Sequence, residues 1–243
     1  MTTTRGHGAV LGVLAAAVLA GACGDNLGAP VDAPPPVDAH VASRTIFLDF
    51  GGATLHPGAP SGADDTTPLV DADTVLPPYL DGDAGRQARI DAIVVAAQTR
   101  LAPYDVALAL ERPAAGPYFH VVVTGSGALF DAPGLSAMAP YDCARPGDDG
   151  VALLFQSGAA ADTYGPIAKG NLVLGALGLA HLIPPSSKPH DCMCWAAAGC
   201  TVDEVACTAG GPGTPVDTRV ACPGAPATMD EHQLLLDAFG ARP

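Results

Sequence analysis

A chain of 243 residues, 49% of them hydrophobic, can supply one good-sized core or at most two small ones. Its formal charge of −14 leaves no basic stripe to neutralise phosphates, which excludes nucleic acid as a partner and means that attachment to an anionic membrane cannot rest on charge. The 29 glycines and 24 prolines predict long irregular loops without reaching the composition of a disordered chain.

Arg5 gives a short positive region, and residues 9–20 (AVLGVLAAAVLA) form an apolar run too short to span a bilayer and suited to a signal-peptide core. The run ends in Leu19-Ala20-Gly21-Ala22-Cys23, which resembles a lipobox, where the cysteine is acylated and the preceding bond is cut. Lipoboxes place leucine three residues before the cysteine, whereas Leu19 stands four before it, and Ala20-Gly21-Ala22 also satisfies ordinary signal peptidase, whose product is a soluble secreted protein. Cysteine parity favours lipidation. With Cys23 acylated, the remaining cysteines are Cys143, Cys192, Cys194, Cys200, Cys207 and Cys222, an even set that can pair fully in an oxidising compartment. Residues 24–42 (GDNLGAPVDAPPPVDAHVA) cannot bury enough to fold, and read as a tether extending about 3.1 Å per residue. The expected organisation is a signal peptide at 1–22, a Pro/Asp/Ala-rich tether at 23–43 and one domain at 44–243. The expected address is the periplasmic or cell-surface side of a membrane, the outer rather than the inner, since Gly24 after Cys23 is no inner-membrane retention signal.

Within the domain, residues 44–50 (RTIFLDF) predict a strand that stops at Gly51-Gly52. Residues 51–82 are rich in Asp, Pro and Gly without helical or alternating period, and predict a solvated loop; their aspartates do not have EF-hand spacing. Ile90, Ile93, Val94, Ala97 and Leu101 recur at helical spacing, so residues 84–101 predict an amphipathic helix lying on a sheet. Strands follow at 105–110, 118–124 and 151–155, with His120 expected to face solvent or make a single hydrogen bond. Residues 171–183 (NLVLGALGLAHLI), apolar nearly all round, predict a buried helix in which Gly175 and Gly178 need a packing or chain-turning reason. A cysteine-rich loop and a last helix at 230–239 close the chain.

This order, with Gly178-x-x-His181 and Asp191-Cys192-Met193, resembles the catalytic domain of zincin metallopeptidases, the metzincin branch in particular. In that family a buried helix carries HExxHxxGxxH. Three histidines bind zinc, the glutamate is the general base, the glycine ends the helix, and a methionine turn passes beneath the metal. Ala102-Pro103-Tyr104-Asp105-Val106 and Glu111-Arg112-Pro113 also look like secreted lipoprotein relatives of these peptidases. The resemblance implies an α+β, zincin-like domain: a small mixed sheet covered by the amphipathic helix and a buried former active-site helix, with a disulfide-rich C-terminal loop region. It implies Met193 as the methionine turn and His181 as a vestigial zinc position. The upstream half of the motif is gone, because Asn171, Leu172 and Gly175 stand where the family has histidine, glutamate and histidine.

His181 alone reads more simply as a core or capping histidine than as a ligand. Ser186 and Ser187 lie near His190 and Asp191, but no Gly-x-Ser-x-Gly elbow accompanies them. The six late cysteines do not have zinc-ribbon spacing and are expected as disulfides stapling the Gly/Pro-rich segment, with fifteen pairings open. Trp195 is expected to pack into that staple. The reading is therefore a non-catalytic pseudopeptidase, membrane-attached through its lipid, without cofactor, acting as a binding or structural module for a peptide or envelope protein. The alternative is an active secreted zinc peptidase with an unconventional site around His181.

Overall fold

A computed structural model describes residues 42–144, 147, 149–158, 161–194, 204–219 and 221–243, all within a compact unit spanning Val41–Pro243. Cys23, the signal segment, the tether up to residue 41, Trp195 and Cys200 lie outside the described residues.

The chain forms β1 (Arg44–Asp49), β2 (Thr54–Pro57), β3 (Thr66–Thr67), β4 (Thr74–Val75), α1 (Arg86–Leu101), β5 (Val106–Ala109), β6 (Phe119–Ser126), β7 (Ala137–Met138), β8 (Gly150–Gln156), α2 (Pro166–Ala180), β9 (Thr214–Pro215), β10 (Thr228–Met229) and α3 (Glu231–Phe239). It is a mixed α and β structure. Its main sheet runs β5-β1-β6-β8-β7, parallel except for the antiparallel edge strand β7. Parallel neighbours need crossovers, and covering elements then bury both faces. The strands accordingly lack a solvated face: every residue of β6 and β8 is buried.

Alternate residues divide the two faces. Ile46, Leu48, Val121, Val123, Ala152 and Leu154 belong to the cluster that includes Ile90, Ile93 and Ala97 of α1 and Val173, Leu174 and Leu177 of α2. The helices approach closely because residue 170 is glycine; a Cβ there would lie 2.7 Å from the Ala96 carbonyl carbon. At the end of the chain, Asp230 caps α3 by accepting from Gln233 N at 3.1 Å, and Phe239 packs edge-on against Tyr104.

On the other face, Val122, Val151, Leu153 and Phe155 meet Leu55, Val70 and Leu76. These belong to the segment expected to be a solvated loop. It instead folds into a small sheet, β3-β2-β4, because a few apolar residues spaced widely along it find the second face of the main sheet.

Two helical boundaries also differ from expectation. The buried helix begins at Pro166 rather than at 171, with the proline in its first turn, where a missing N–H costs nothing. It also stops at Ala180, short of Ile183 but past Gly178, where the resemblance implies an end. Reversal falls to Leu182, whose φ is +60°, and Ile183 N donates to Gly178 O at 3.0 Å while Leu182 N donates to Leu179 O at 2.9 Å. This is a Schellman closure with leucine where glycine is usual.

Candidate functional site

Gly178 has a packing role instead of a turning role. Met193 is fully buried directly against it, and a Cβ on residue 178 would overlap the Met193 sulfur. The turn around Met193 is held by Met193 N donating to Asp191 Oδ1 at 3.2 Å, Cys194 N to Asp191 O at 3.0 Å and Ser186 N to Met193 O at 2.8 Å. Ser186 is itself buried, and its Oγ accepts from Lys188 N, so it is no exposed nucleophile.

The three motif positions on α2 have other uses. Asn171 donates through Nδ2 to Val205 O at 2.8 Å and accepts at Oδ1 from Cys207 N at 3.1 Å, pairing as a strand residue would with the strap 204–208. Leu172 packs against the core, and Gly175 is buried. His181 sits at the helix C-cap, its Nδ1 on Leu177 O at 2.9 Å and its ring edge-on to Phe239 with centroids 4.7 Å apart. Because the helix continues to Ala180, His181 stands about 120° around the axis from Gly175 at 100° per residue. The register that the resemblance implies is therefore present in sequence but not on one helix face. The capping role is the one His181 fills.

The strap is tied at several points. Glu204 accepts at Oε2 from Ile167 N at 3.2 Å and at Oε1 from Ala168 N at 3.4 Å, placing a carboxylate at the positive end of α2. Cys207 is bonded to Cys192, beside Met193, and Thr208 N donates to His190 O at 3.0 Å. A second disulfide, Cys143–Cys222, joins the segment before β8 to the segment before α3. Cys194 is disulfide-bonded as well. Among the described residues, no group of three or more His, Cys, Asp or Glu side chains is placed to hold a metal ion.

Three buried ionic groups escape sequence reasoning. First, His120 is wholly buried rather than facing solvent. It lies between Asp65 (Nδ1 to Oδ1, 2.8 Å) and Asp49 (Nε2 to Oδ2, 3.3 Å) and stacks on Phe47 at 4.7 Å. Arg112 Nη2 reaches both Asp65 oxygens, at 2.9 and 2.8 Å, and its guanidinium lies over Phe47. Burial pulls the imidazole downward, but bonds and charges from Asp49 and Asp65 outweigh it and hold His120 above its ordinary value. Burial raises Asp65, yet His120 and Arg112 outweigh that and hold it below the usual carboxylate range.

Second, Lys169 is wholly buried, bonded to Phe155 O, 3.4 Å from Asp162 Oδ2 and 4.9 Å from the Tyr164 ring centre. Burial pushes it down to about 8 against the pull of Asp162. Tyr79 donates to the same Asp162 oxygen at 2.8 Å, and its hydroxyl is raised by burial and by that charge. Third, the buried carboxyl groups of Asp191 and Glu231 come together at Gly210. No local signal marks any of these clusters, since their members come from separate elements.

Comparison with family profiles, with curated proteins and with solved structures finds no match to the chain.

Proposed function

We propose that this is an exported, lipid-anchored envelope protein whose domain is a catalytically inactive relative of the metzincin peptidases, acting as a binding or structural module. The observation that carries the reading is Asn171. At the place of the family's first histidine, its carboxamide is engaged on both sides by the strap backbone. Supporting it are the order of the main sheet and its helices, β1, α1, β5, β6, antiparallel β7, β8, buried α2, cysteine-bridged loop and α3, and the packing of Met193 against Gly178. The disulfides fit an oxidising, exported setting. No helix among the described residues is long and apolar enough to cross a membrane. Attachment in this reading rests on Cys23 and the lipobox-like residues before it. An extended peptide would add most naturally beside β7, the terminal strand of the sheet.

A zinc peptidase needs three placed ligands and an open position. The purified protein is therefore expected to hold substoichiometric zinc and to show no chelator-sensitive proteolysis. One equivalent of zinc, lost together with a peptidase activity on His181→Ala, overturns the reading in favour of an active enzyme. Anchoring is tested separately. Cys23→Ala should move the protein from the membrane to the soluble fraction, and its retention in membranes at wild-type yield removes the lipid anchor.

A further inference from the structure

Asp191 begins the turn that carries Met193, and Glu231 is the first residue of α3; they are 4% and 0% exposed. One oxygen of each is accounted for, Asp191 Oδ1 by Met193 N and Glu231 Oε2 by Gly210 N at 3.3 Å. The other two, Asp191 Oδ2 and Glu231 Oε1, are buried without a hydrogen-bond partner among the described residues, and both carboxyl groups converge on Gly210, whose N–H bonds Glu231 and where an added Cβ would stand 2.7 Å from Asp191 Oδ2. Two ionised carboxylates crowded together out of water repel, so a proton or a cation must neutralise one of them.

A cation of the calcium type takes six to eight oxygens, and among the described residues no third His, Cys, Asp or Glu joins the pair. We propose that Asp191 and Glu231 share a single proton, and that this proton fastens the start of α3 to the Met193 turn as an acid-strengthened lock. The surroundings fit. Tyr104, from the loop after α1, faces Glu231, and its hydroxyl is pushed up to about 12 by burial and by that carboxyl. The ring centres of His232 and Tyr104 lie 6.4 Å apart, and the charge of Lys188 reaches Glu231. Burial first, and then Asp191, push Glu231 up to about 10, against the smaller opposing effects of Gly210 N and Lys188.

The direction of the pH effect follows. A carboxyl whose folded value exceeds its unfolded value retains a proton that the unfolded chain has lost. Its contribution is complete below about pH 4.5 and declines as pH rises towards 10. Across that window each pH unit should raise the unfolding equilibrium constant about tenfold through this one site. The mature protein would then hold α3 more firmly in acid surroundings than in alkaline ones.

Urea unfolding of the full mature protein at pH 5.5, 7 and 8.5, compared with Glu231→Gln, tests the lock. The glutamine can donate to Asp191 without a titrating proton, so the ratio of wild-type to variant unfolding constants should climb about tenfold per pH unit. Parallel profiles overturn the proposal. If the variant does not fold, carbon-13 NMR of the wild-type carboxyl groups replaces it: a Glu231 carbon still protonated at pH 7 supports the lock, and an ionised one overturns it. Titration with calcium or magnesium chloride provides the remaining arm. A metal-dependent rise in Tm that Glu231→Gln abolishes means that a cation occupies the site, and the shared-proton reading falls.

Discussion

The helix-covered face of the main sheet and the face beneath residues 51–82 share the same strands but are held differently. On the first, α1 and α2 bring continuous apolar rows onto Ile46, Leu48, Val121, Val123, Ala152 and Leu154. On the second, a segment with few apolar residues adds Leu55, Val70 and Leu76 and is fixed by the His120, Asp49, Asp65 and Arg112 group. Non-directional burial suits elements with a regular period, whereas an irregular segment needs a few directional contacts to select one conformation. Asp65 shows the cost of that choice, since it holds its two charged partners from a φ of +55°.

The strongest way to break the contrast is Leu177→Ala, at a residue 1% exposed in the helix-face core. It should cost about 3–4 kcal/mol in urea unfolding and destabilise the domain globally. His120→Ala should cost about 2–3 kcal/mol, because two carboxylates would be left partly buried without their partner. Its damage should be local: limited proteolysis should cut within residues 51–82 while hydrogen exchange in α2 is unchanged. Global unfolding would show instead that the two faces are one cooperative unit.

The second face should also carry a local pH signature of its own. The raised value of His120 means a contribution fully present below about pH 6.5 and lost as pH rises through the folded value. The lowered value of Asp65 means one present above about pH 3.8 and lost as pH falls through the folded value. Protease resistance of residues 51–82 should therefore be greatest between these limits, and His120→Ala should flatten its alkaline side.

The smallest expected effect sharpens the picture of α2. Leucine in the left-handed region costs about 1–2 kcal/mol, and glycine returns part of that gain as unfolded-chain entropy. Leu182→Gly should thus stabilise the domain by less than about 1 kcal/mol in thermal unfolding. A loss of stability would mean that the partly buried Leu182 side chain contributes more than the strain removes.

Where a pattern repeats locally, the sequence was legible. Ile90, Ile93, Val94, Ala97 and Leu101 announce α1, and the β-branched runs announce β1, β6 and β8, each to within about two residues. The start of α2 was not legible. Its first turns contain a lysine and a glycine, yet Lys169 lies beside Asp162 and Gly170 admits Ala96. His120 looked like a surface residue because neither carboxylate beside it is near in sequence. At the candidate site the absence of imidazole and carboxylate at Asn171, Leu172 and Gly175 could be read directly. What residue 171 does instead could not, because its partners lie on a strap whose path is set by the Cys192–Cys207 bond.

The order of strands bears on how the chain is made. β1 is the earliest strand, but both its neighbours, β5 and β6, come much later, with Arg44 paired to Val106 and Ile46 to Phe119. No local hairpin can seed this part of the sheet, and such distant parallel pairings fold slowly. During synthesis β1 therefore waits, unpaired and apolar, until more than sixty further residues have emerged. A chain assembled this way stays open long after its first strand is complete, which leaves oxidation of Cys143 with Cys222 among the closing steps.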